Sequence, residues 1–138
     1  MEIMEKVIVS LVLSGHPLYN SVTGEKSISA VVSLCNQSIE YLFLEDNQVE
    51  TATFDVELGS NSNVITVTVS SPWVKFANLR IQELRIHGFP IGNKIFDCRY
   101  TYEDGTLNPS RTYLDGPGVW EFDIQSPVCD YYEGVGID

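Results

Sequence analysis

Carboxylates, thiols and imidazoles are the reactive side chains of this sequence, with nineteen Asp and Glu, three Cys and two His against eight Lys and Arg. Paired carboxylates hydrolyse glycosides when one keeps its proton in a cleft and the two stand at a fixed separation. Asp97, Glu121 and Asp123 are conceivable members of such a pair, but with nineteen acids any pair is easy to nominate. Glu45-Asp46-Asn47, and Glu103-Asp104 with Asp97, offer the hard oxygens that calcium takes, without a D-x-D-x-D-G loop around them. Asp and Asn are also ordinary turn residues, because their side chains satisfy turn backbones.

Cys35, Cys98 and Cys129 have no paired spacing and stand far from His16 and His87, so zinc is not expected and buried, reduced thiols are. His16 precedes Pro17 and His87 precedes Gly88, both turn positions where an exposed imidazole is expected. No nucleophile elbow of the form G-x-S-x-G and no phosphate-cradling glycine loop occurs. No catalytic residue, metal or cofactor is assigned.

What remains is binding, and charge sorts its options. The net charge is −11, with residues 1–70 at −7, residues 71–94 at +3 and residues 95–138 at −7. Such a chain is not expected to bind nucleic-acid phosphates or anionic lipid directly, and a protein with a basic surface suits it better. The acids expected to meet that partner are Glu103, Asp104, Asp115, Asp130 and Glu133, with Tyr131 and Tyr132 as apolar anchors. Small intracellular inhibitors, phage- and virus-encoded ones included, use this logic, with carboxylates standing where phosphates would. Lys75, Arg80, Arg85 and Lys94 form the basic contact segment, either a charged strand edge or a place for the acidic flank of a second copy.

Two alternatives stay open. Tyr100, Tyr102, Tyr113, Trp120, Phe122, Tyr131 and Tyr132 concentrate late in the chain, and rings beside carboxylates bind sugars, so a lectin-like module, calcium-assisted or not, is one. By alternation Tyr100, Tyr102, Trp120 and Phe122 point to the core, which leaves Tyr113, Tyr131 and Tyr132 for the surface. A small β-barrel enzyme or ligand carrier is the other.

The elements that must position these residues read as strands. Ala52, Phe54, Val56 and Leu58 alternate with polar neighbours, as do Ile65, Val67 and Val69, and Gly59 to Asn63 is a turn cluster, so the two runs read as a β-hairpin. Val7 to Leu13, Ile28 to Cys35, Ile39 to Leu44 and Val119 to Ile124 fit the same template. Phe96, Cys98, Tyr100 and Tyr102 share one face of a further strand, followed by a turn at Glu103-Asp104-Gly105. Within Trp73 to Ile86, a break near Ala77-Asn78 and an extra residue at Gln82-Glu83 give a bulged strand.

The pattern specifies an all-β, single-domain antiparallel β-sandwich, jelly-roll or immunoglobulin-like, of eight or nine short strands over residues 1–138, with 125–138 a less regular tail. A small β-barrel is the alternative fold. The apolar run at Val7 follows Glu2 and Glu5, unlike a secretory leader, and is far shorter than the roughly 20 residues needed to span a bilayer. A cytoplasmic protein, of the host cell if viral, is expected.

Overall fold

A computed structural model of the chain describes residues 4–18, 27–59, 63–70, 73, 76–109, 111–126 and 128. Among the described residues, ten strands and one short 3₁₀ helix follow in order: β1 (Glu5–His16), β2 (Ile28–Leu34), β3 (Gln37–Phe43), β4 (Gln48–Leu58), β5 (Asn63–Val69), β6 (Asn78–Ile86), β7 (Phe89–Pro90), the helix Gly92–Asp97, β8 (Arg99–Tyr102), β9 (Tyr113–Leu114) and β10 (Gly118–Ile124). They form two antiparallel sheets. One runs β4-β1-β6-β7, with β9 also on β6, and the other β3-β2-β5-β10-β8. The sheets face each other without closing into a barrel, so the fold is the expected β-sandwich. Among the described residues no helix is long and apolar enough to cross a membrane.

Period-two patterning builds the core. Val7, Val9, Leu11 and Leu13 of β1 point inward beside Phe54 and Leu58 of β4 and Leu84 and Ile86 of β6. The other sheet contributes Val32, Ile65, Val67, Tyr100, Trp120 and Phe122. Burial of these faces is the main stabilising term, at about 25 cal/mol per Å² of apolar surface.

The predicted bulge falls where the sequence places it. Val12 pairs with Glu83 and Leu13 with Ile81, so Gln82 is the extra residue and both Gln82 and Glu83 escape the core.

Three expectations need correction. β4 and β5 are not a hairpin: β4 pairs with β1, and β5 pairs with β2 and β10 in the opposite sheet. Alternation says which face of a strand is buried, and both strands obey it, but it does not name the neighbour. Asn63 holds the ends of this inter-sheet arch, accepting from the Gly59 amide at 3.1 Å and donating to the Gly59 carbonyl at 3.1 Å.

Second, the strand expected to carry Phe96 begins only at Arg99. Gly92 at φ +65 turns the chain into the 3₁₀ helix, which buries Ile95 and leaves Phe96 48% exposed. Third, Cys35 is exposed, on the two-residue β2–β3 turn at φ 55, whereas Cys98 is buried as expected. Both are free thiols, and Cys129 lies outside the described residues.

The open side of the sandwich is sealed by side chains. Edge strand β4 offers the carbonyls of Thr51 and Asp55, which accept from the Tyr41 hydroxyl and the Gln37 amide of β3, each at 3.0 Å. Binding these edge carbonyls hinders the addition of a further strand.

Candidate functional site

At one end of the second sheet, the segment joining β8 to β10 gathers three of the acids singled out in the sequence. Glu103-Asp104-Gly105 makes the expected turn, with Gly105 at φ +91 and its amide donating to the Tyr102 carbonyl at 2.9 Å. The chain then doubles back on β8, through Tyr102 N–H to the Thr106 carbonyl at 2.8 Å and Asn108 N–H to the Tyr100 carbonyl at 2.9 Å. That return places Asn108, which is buried, beneath Asp115.

Its side-chain amide donates to the Tyr102 hydroxyl at 2.9 Å, the Tyr113 carbonyl at 3.1 Å and Asp115 Oδ1 at 3.1 Å. Tyr102 in turn donates its hydroxyl proton to Asp115 Oδ1 at 2.5 Å. Asp104 Oδ1 accepts from the Thr106 amide at 2.9 Å and the Thr106 hydroxyl at 2.6 Å. Asp104 and Asp115, both exposed, are therefore held by hydrogen bonds rather than left on free rotors.

Electrostatics follow the geometry. The Thr106 hydrogen bonds hold the Asp104 carboxyl below the usual range. Desolvation, then the bond to Asp115, pushes the Tyr102 phenol up to about 12. Burial raises Tyr100 further, helped by the charges of Asp115 and Glu103, and its hydroxyl donates to the Gly116 carbonyl.

A shallow hollow of about 520 Å³ adjoins this patch on the outer face of the second sheet. Its floor is low because the outward residues of β5 and β8 that line it, Thr66, Thr68 and Thr101, are short, and Glu103 and Glu121 stand among its lining. Arg99 reaches Glu121 at 3.6 Å.

The remaining sequence candidates are placed elsewhere. Asp130, Tyr131, Tyr132, Glu133 and Lys75 lie outside the described residues. Arg80 and Arg85 project from the outer face of the first sheet, where Arg85 Nε meets Glu83 at 2.7 Å and Arg80 lies 5.3 Å over the Tyr113 ring. Lys94 belongs to the 3₁₀ helix. β6 is flanked by β1 and by the short β7 and β9, so Arg80 and Arg85 are face residues rather than guards of an open edge.

Tyr100, Trp120 and Phe122 fill the core as expected, while Tyr102 is only half-buried. Trp120 Nε1 is buried without a hydrogen-bond partner among the described residues. Glu121 and Asp123 sit on an open sheet face, Asp123 accepting the Asn63 amide at 3.0 Å, which is not the enclosed pair that glycoside hydrolysis needs. Asp46 of the candidate calcium loop pairs with His16 at 3.4 Å. Among the described residues no group of three or more His, Cys, Asp or Glu is placed to hold a metal ion.

Sequence reasoning missed Asn108. Only the bridge between Thr101 and Leu107 brings it under β8, and no local pattern announces that pairing. No protein-family model, curated protein or solved structure matches the chain.

Proposed function

We propose that this chain is a non-enzymatic binding protein whose acidic surface, centred on Glu103, Asp104 and Asp115, engages a basic groove on a protein partner. The observation that supports the reading is the Tyr102–Asn108–Asp115 network with its Thr106 companion, which fixes exposed carboxylates before any partner arrives. Pre-ordered charged groups lose less rotamer entropy on association than free ones. The neighbouring hollow is open, with room for the aliphatic stem of a Lys or Arg side chain against Val119 and with Glu103 and Glu121 in its lining to meet the charged end. In its narrower form the proposal is a small cytoplasmic inhibitor, of phage or viral type, whose carboxylates occupy the positions of phosphates in a nucleic-acid-binding groove.

Titration of the ¹⁵N-labelled chain with an arginine-rich peptide tests the surface. Saturable shifts confined to Glu103–Thr106, Asp115 and the hollow are expected, with affinity falling steeply as salt is added. The triple variant E103Q/D104N/D115N should lose them. Shifts scattered over all acidic faces, or binding indifferent to salt, would sink the reading. Affinity capture from the native host, with wild type and triple variant as parallel baits, then names the partner as the protein retained only by the wild type.

A further inference from the structure

The outer face of the first sheet carries a second hollow, of about 320 Å³, which the acidic-surface reading leaves unused. It forms because the central residue of its cross-strand row is small. Ser14 of β1 lies between Val49 of β4 and Arg80 of β6, so two longer side chains wall a shallow floor. The bulge at Gln82 adds a lid-side group, since it turns Gln82 outward and brings its Nε2 to Ser14 Oγ at 2.5 Å. Asn47, at φ 62 in the β3–β4 turn, and His16 complete the polar rim.

Arg80 is the one formally charged side chain among the described residues of the lining, so the hollow itself is positive, the reverse of the whole chain. Glu83 is turned to Arg85 at 2.7 Å and Asp46 to His16 at 3.4 Å. Arg80 makes no ion pair among the described residues and is steadied over Tyr113 instead. A cation stacked on a ring keeps its in-plane N–H groups directed outward, the geometry that recognises a carboxylate. Ser14, whose oxygen already accepts from Gln82, keeps its own proton to donate, and Gln82 retains its carbonyl oxygen as an acceptor. Val49, 59% exposed, offers an apolar wall suited to C–H groups.

We propose that this hollow binds a small hydroxylated carboxylate of acidic-sugar size. The carboxylate pairs with Arg80, and the hydroxyls exchange hydrogen bonds with Ser14, Gln82 and Asn47. The volume lies at the lower end for small-molecule sites, and the polar lining favours a polyol over an apolar ligand. None of its lining residues is among Glu103, Asp104 and Asp115 or lines the hollow beside them, so its failure and that of the acidic surface are read separately.

The test is titration of the full ¹⁵N-labelled chain with glucuronate, glucose and acetate in parallel. Glucuronate is expected to move the Ser14, Asn47 and Gln82 signals together and saturably, with glucose and acetate markedly weaker. R80Q should weaken glucuronate binding by about ten- to a hundredfold, the range for losing a charged hydrogen-bond partner. S14V, which keeps strand propensity while removing the hydroxyl and raising the floor, should weaken it by about tenfold. Absence of saturable shifts, affinity unchanged in R80Q, or acetate binding as tightly as glucuronate would each overturn the proposal.

Discussion

Replacing Asn108 with Ala tests whether the acidic end of the sandwich is held by its buried amide. Its Nδ2 faces three acceptors, the Tyr102 hydroxyl at 2.9 Å and the Tyr113 carbonyl and Asp115 Oδ1 at 3.1 Å each, but carries two protons. The loss is therefore counted as two hydrogen bonds, one neutral and one to a carboxylate, which together contribute roughly 2–4 kcal/mol. Asp115 is exposed and Tyr102 half-buried, so water replaces part of what Asn108 supplied, and the expected destabilisation is about 2–3 kcal/mol. Against a typical domain stability of roughly 5–15 kcal/mol that is a large fraction. Urea unfolding with a constant slope measures it, and the double variant with Tyr102→Phe should fall short of additivity by about 0.5 kcal/mol or more. The same variant should weaken binding of the arginine-rich peptide, because Asp115 loses a tether. A destabilisation below about 0.5 kcal/mol, the level of an ordinary surface change, together with strict additivity, would refute the network.

Other perturbations follow from single contacts. Tyr102, with its folded pKa raised to about 12, favours the fold fully below the unfolded phenol value near 10 and loses that contribution as pH rises through 12, so Tyr102→Phe should flatten the alkaline fall in unfolding free energy. Gly15→Ala places a methyl 2.5 Å from the ring of the fully buried Phe43 and should cost about 1–3 kcal/mol by urea midpoint. Gly116→Ala, whose methyl would stand 3.4 Å from the Tyr102 ring, should stay within about 0.5 kcal/mol of wild type. In peptide-mapped thiol labelling, Cys35 should react in the native protein despite a pKa raised by partial desolvation, and Cys98 only on unfolding.

The sequence made the faces of the strands legible and left their neighbours obscure. Ala52, Phe54, Val56 and Leu58 are inward as alternation requires, and the odd residue in Gln82-Glu83 marked the bulge correctly. The same alternation made β4 and β5 look like a hairpin, because an inter-sheet arch and a hairpin turn share a composition of Gly, Ser and Asn. Of the two-residue turns, His87-Gly88 has both residues at positive φ, as a type I′ turn demands, while in Cys35-Asn36 only Cys35 is there. The candidate site was half legible. Glu103, Asp104 and Asp115 were visible as loop acids, but what orders Asp104 and Asp115, Thr106 and Asn108, became visible only once the chain after Gly105 was seen to fold back on β8.

That ordering changes what the charge of −11 means. Asp55 and Glu57 wet the outer face of β4, where they raise solubility and contribute only to the general field. Asp104 and Asp115 carry the same formal charge but have spent part of their acceptor capacity on Thr106, Tyr102 and Asn108. Each carboxylate has about four lone-pair directions, so two internal bonds leave room for a guanidinium or ammonium donor while fixing the approach. A partner that relied on charge alone would treat all these acids alike, and its binding would survive neutralisation of any three. A partner that needs the held geometry loses affinity on Asp104→Asn or Asp115→Asn and tolerates Asp55→Asn with Glu57→Gln. The distinction between field and geometry is thus carried by where the carboxylates are fixed, and comparing those two pairs of substitutions separates them.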